Sequence, residues 1–154
     1  MESFNYLSVL LSIILGLAIT QVLLGFRGLI LTRVKVKLYL PTVIWAGLAL
    51  LIAIQAWWAS FGLRMRTSWT FLGFIVIVLQ AISVYMATAV VLPDITGDSI
   101  VDLRDHYFAH RIWFFGFMLS GVAAIIRRKW FHEVLAPVFA VLFLLYITLL
   151  FGRL

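Results

Sequence analysis

Apolar residues run through this chain in long blocks, with the charged residues gathered between them. Charge-free stretches extend from Ser3 to Phe26, Leu38 to Leu63, Thr67 to Pro93, Ile112 to Ile126 and Val134 to Gly152. A helix rises about 1.5 Å per residue and the hydrocarbon core of a bilayer is about 30 Å thick, so roughly 20 residues are needed to span it. The first, second, third and fifth stretches meet that length. The fourth meets it when extended back to Tyr107, which places His110 and Arg111 in its first turns, where an Arg can snorkel to the interface. The pattern predicts an all-α, polytopic transmembrane helix bundle. It forms one domain over 1–154, with five spans at approximately 4–26, 39–63, 68–92, 107–126 and 134–152. The alternative keeps four spans and makes the fourth stretch re-entrant. A continuous helix is the default, because backbone inside lipid must satisfy its own hydrogen bonds. The first stretch reads as a retained helix, since no Lys or Arg precedes it and no A-x-A site closes it.

Composition sharpens this picture. The 154 residues are 65% hydrophobic and 12% charged, against about 45–50% and about 25% in a soluble domain. So short a chain cannot hide that much apolar surface from water. A soluble fold, a disordered chain, a collagen-like repeat and a disulfide scaffold are all disfavoured. The absence of Cys removes thiol catalysis and Cys-ligated metals. The net charge of +6 sits mostly between apolar runs, at the level of lipid headgroups. With no basic domain outside the membrane, nucleic acid is not an expected partner.

Cation placement orients the bundle. The first loop region carries Arg27, Arg33, Lys35 and Lys37, and the N-terminal tail carries none. The N-terminus is therefore expected outside and the C-terminus, with Arg153, in the cytoplasm. Arg64 and Arg66 in the second loop, and Arg127, Arg128 and Lys129 in the fourth, weigh against it, five cations against seven.

Within the first span Ser8, Ser12, Gly16 and Thr20 recur every four residues, and the fourth span has Gly116, Ser120 and Ala124. Such stripes allow close backbone approach between helices in lipid. They serve either packing within the bundle or a subunit interface. Gln21, Gln55 and Gln80 lie inside apolar stretches and need hydrogen-bond partners there. Gln55 and Gln80, at similar depth on adjacent helices, are expected to be able to pair. The other reading of the three is the lining of a polar path. No carboxylate lies at the centre of a span, which argues against proton-coupled transport.

The third loop holds the densest chemistry. Ser99 and Asp102 match a helix-start pattern. A helix from Ser99 would set Ile100, Leu103 and Tyr107 on an apolar stripe. Asp98, Asp102, His106 and His110 would then fall four apart on another face, a spacing that could hold a divalent metal such as Zn²⁺. The plainer reading is a solvated entry to the fourth span, and no cofactor is expected. The remaining histidine, His132, falls in the fourth loop, across the membrane from this set. Arg111 is expected to bridge to Asp94 at the end of the third span, the alternative being that it snorkels to lipid phosphate. Arg33, Lys35 and Lys37 alternate with apolar residues and suit contact with anionic lipid. Trp57, Trp58, Trp69, Trp113 and Trp130 fall near span ends, as an interfacial belt does.

Residues 16–29 (GLAITQVLLGFRGL), 54–64 (IQAWWASFGLR) and 105–115 (DHYFAHRIWFF) resemble small, uncharacterised bacterial multi-span inner-membrane proteins. That resemblance implies a bacterial origin and an inner-membrane address, and no activity. The functional expectation is a protein acting by association, as a homo-oligomer or an accessory subunit of a membrane complex, and without catalysis. The alternatives are a small channel or transporter with a Gln-lined path, and a metal-binding protein or membrane enzyme using the third-loop Asp/His set.

Overall fold

The computed structural model describes residues 2–31, 36–65, 69–94 and 100–126, with side chains over 4–31, 36–65, 69–94 and 100–121. Four helices carry the fold: α1 (Glu2–Leu31), α2 (Leu40–Ser60), α3 (Phe71–Val91) and α4 (Leu103–Ile126). A 3-10 turn, Phe61–Met65, extends α2. Two short strands, β1 (Val36–Lys37) and β2 (Val101–Asp102), pair in parallel, Val36 opposite Val101 and Lys37 opposite Asp102.

Three stretches are long and apolar enough to cross a membrane: Phe4–Leu31, Leu40–Met65 and Phe71–Val91. The first runs past its expected end, through Arg27. The described residues thus show three candidate spans of the five expected. The fourth segment is one continuous helix of 24 residues. With its side chains described only to residue 121 it is not counted among the three, and its backbone is helical throughout, without the break that a re-entrant hairpin needs. The fifth segment, 134–152, lies outside the described residues, as do Arg66, Trp130 and His132.

The buried face of α1 carries Leu7, Leu11, Leu15, Ala18, Val22 and Leu29. Small residues receive it: Ala46, Ala49 and Ala53 are buried on α2, and Ala81 and Ala87 on α3. Leu11 and Leu15 meet Ala56, Ala59 and Ala81 around a common cavity. Large side chains from one helix thus enter the low relief of two others, which is how helices gain dispersion contact in lipid. On α2, Trp45 is buried and meets Phe114 and Phe115 of α4 edge-on, with ring centroids 5.6 and 4.9 Å apart.

The small-residue stripe of α1 is therefore not its main buried face: Ser8 is half-buried and Ser12 meets Trp57 of α2, while Gly16 and Thr20 are exposed. The stripe lies one residue over, about 100° round the helix. Gly16 is exposed, and a Cβ added there would meet nothing within 4 Å. The same holds for Gly116, and Ser120 is exposed. Ala124 falls on α4, with its side chain outside the described set. The close approaches occur at two other glycines. A Cβ at Gly25 would lie 2.6 Å from Leu92 Cδ1 and 2.9 Å from its Cβ, and one at Gly121 would lie 3.0 Å from Val84 Cγ2.

Candidate functional site

Both interhelical loops that follow α1 and α3 lie at one end of the bundle, and the β1–β2 pairing ties them together. Charged and polar residues from four elements meet there. The entry to α4 differs from its expected form. The helix starts at Leu103, not Ser99, because the backbone of Val101 and Asp102 is extended against β1. The Asp102 carboxylate then caps the helix, accepting from the Arg104 N–H at 2.9 Å, which satisfies one of the free donors of the first turn. The other carboxylate oxygen lies 3.8 Å from Lys37 Nζ. Behind this pair, fully buried Thr42 donates from Oγ1 to the Leu103 carbonyl at 3.3 Å. Thr42 follows Pro41 in the first turn of α2. Pro at that position marks a helix start, but nothing local shows that Thr42 faces another helix.

His106 joins α4 to α3. Its Nε2 donates to the Val90 carbonyl at 3.0 Å. Val90 is in the last turn of α3, where carbonyls lack partners within the helix, so the imidazole acts as a cap supplied from another element. His110 donates from Nδ1 to the His106 carbonyl at 3.0 Å, and the two rings stack at 4.4 Å. His106 stands one residue ahead of the apolar stretch that begins at Tyr107. Its burial holds it below the ordinary imidazole value of 6.5, the Val90 hydrogen bond works the other way, and the charge of His110 lowers it further. The unfolded chain therefore binds a proton that the folded one resists. Stability should be complete above pH 6.5 and fall as the pH drops from there toward the folded-state value. His106→Gln should flatten that slope in melting curves recorded in detergent between about pH 7 and 5. An unchanged slope would show that His106 is not the group responsible.

Among the described residues, the members of the expected metal set do not converge. Asp98 lies outside the described residues, Asp102 is engaged by Arg104 and Lys37, and one nitrogen of each imidazole is held by a backbone carbonyl. Because Asp102 precedes the helix, the four-residue register begins only at His106. Among the described residues no three His, Asp or Glu side chains converge.

The expected Asp94–Arg111 bridge is not formed either. Both residues are exposed, and the Arg111 guanidinium lies 5.2 Å from the centroid of the Phe108 ring. The reason is local: a ring one turn earlier on the same helix offers the cation a face. Of the first-loop cations, Lys37 pairs with Asp102 instead of projecting free to lipid. Arg33 and Lys35 lie outside the described residues.

The glutamines do not form a set. Gln21, Gln55 and Gln80 are all half-buried, and no hydrogen bond joins Gln55 to Gln80. Gln80 alone lines the cavity between α1, α2 and α3, with Ser60 and Leu63. Its room is about 30 Å³, on the scale of one or two waters. Trp57 and Trp58 stack edge-on with Phe61 at the end of α2, in keeping with an interfacial position. The Trp57 indole N–H donates to Ser12 Oγ at 3.4 Å.

No family model matches the chain, and no curated protein or solved structure is significantly similar to it.

Proposed function

We propose that this is a small integral membrane protein that acts by association, as a homo-oligomer or an accessory subunit of a membrane complex. The observation that carries this reading is the division of labour among the glycines. Gly25 and Gly121 serve close contacts within the chain, while Gly16 and Gly116 stand on open faces. Those faces also carry Ser12, Thr20 and Ser120, all exposed. The Thr20 hydroxyl donates to the Gly16 carbonyl and the Ser120 hydroxyl to the Phe117 carbonyl. The faces are thus low in relief and satisfied in their hydrogen bonds, the condition under which a neighbouring helix can come close in lipid.

In this reading the chain makes five spans, with the N-terminus outside and the C-terminus in the cytoplasm of a bacterial inner membrane. Its partners are membrane lipid and either itself or other membrane subunits. The test is the mass of the assembly purified in mild detergent. Gly16→Leu should shift it to a smaller species while the melting of the bundle stays within about 0.5 kcal/mol of the parent. An assembly of unchanged mass in both Gly16→Leu and Gly116→Leu would remove association through these faces.

A further inference from the structure

We propose that Arg104 and Arg111 form a site for the phosphate of an anionic phospholipid whose acyl chain lies along the exposed strip of α4. The two cations are seven residues apart, close to two helical turns, and so share a face. Both reach the ring between them: the guanidinium carbons lie 5.9 Å (Arg104) and 5.2 Å (Arg111) from the Phe108 centroid. Arg111 runs back toward the start of the helix to do so, the direction in which helical side chains lean. That carries its charge from the apolar stretch to the level of the loops, as snorkelling requires. Tyr39 supports the ring from the first loop, 6.4 Å from Phe108.

Both arginines are exposed, and neither is in an ion pair among the described residues, where the one ion pair is Lys37 with Asp102. A guanidinium stacked on a ring keeps its N–H edge free, and that edge matches the paired oxygens of a phosphate. Beyond the cations the flank of the helix on the Phe108 side continues as exposed apolar surface, with Ile112 at 78% and Leu119 at 70% exposure. Headgroup chemistry is followed by acyl-chain chemistry along one helix, which favours a lipid over a free phosphate.

This inference rests on the membrane reading. The test uses the full chain in mild detergent, with native mass spectrometry after titration of phosphatidylglycerol or phosphatidylcholine. Phosphatidylglycerol should be retained preferentially. Arg104→Gln and Arg111→Gln should each weaken its retention about fivefold, and the double variant should retain the two lipids alike. Phe108→Leu should weaken the preference without unfolding the helix. Arg64→Gln, exposed at the opposite end of α2, should leave it unchanged. Equal retention of both lipids by the parent chain, or a preference that survives in the double variant, overturns the site. Displacement of phosphatidylglycerol by millimolar glycerol phosphate overturns the lipid as its ligand. A chain released from membranes by a salt wash, without detergent, would overturn the membrane reading itself.

Discussion

Gly121→Leu should lower the stability of the bundle by about 2–3 kcal/mol, while Gly116→Leu, five residues away on the same helix, should leave it nearly unchanged. At Gly121 the helix backbones of α3 and α4 are close. An added Cβ would stand 3.0 Å from Val84 Cγ2 and 3.6 Å from the Val84 backbone nitrogen. A larger side chain cannot be accommodated by rotating one methyl group, so the helices must separate along their contact. In lipid the association of helices depends on such contact, with no hydrophobic drive to restore it. Gly25→Leu should act in the same direction, by pressing α1 away from Leu92 at the end of α3. Thermal melting or denaturation in mixed micelles reads both effects. If Gly121→Leu and Gly116→Leu melt together with the parent, the close approach of α3 and α4 is not a feature of the folded chain.

Asp102→Ala should cost about 0.5–3 kcal/mol. Loss of a helix cap accounts for about 0.5–2 kcal/mol, and loss of a partly exposed ion pair for no more than about 1 kcal/mol. Asp102→Asn separates the two, since an amide oxygen still accepts from the Arg104 N–H while the charge opposite Lys37 is gone. It should therefore recover most of the stability, and the remaining deficit should shrink at high salt. Lys37→Met should match that smaller deficit. Were Asp102→Asn as damaging as Asp102→Ala, the ion pair and not the cap would be the main contribution. Asp102→Ala should also loosen the connection of the first and third loops, because β2 ends on this residue. Faster amide exchange at Val36 and Val101 would report it.

Part of the candidate site was legible residue by residue. His106 and His110 attract attention as a pair one turn apart, and they do stack. Their use was not legible, because the Val90 carbonyl that engages His106 belongs to a helix 16 residues away in sequence. Lys37 and Asp102 are readable as a loop cation and a loop acid, and only the pairing of two distant loops brings them together. Arg111 was readable as a cation in need of a partner. The partner is an aromatic ring on its own helix and not Asp94.

The helical class, and the approximate ends of three helices long and apolar enough to cross a membrane, were readable from the residues alone. These follow from the length and polarity of contiguous stretches, which the thickness and low dielectric of a bilayer constrain directly. The buried face of each helix was not readable in that way and depends on how the helices meet. Leu15 lies inside and Gly16 outside, although either could face lipid on hydropathy alone. In water an amphipathic pattern marks the inner face of a helix. In hydrocarbon both faces are apolar, and the choice falls to how the shapes of neighbouring helices fit, a property of the set of helices and not of any one stretch of residues.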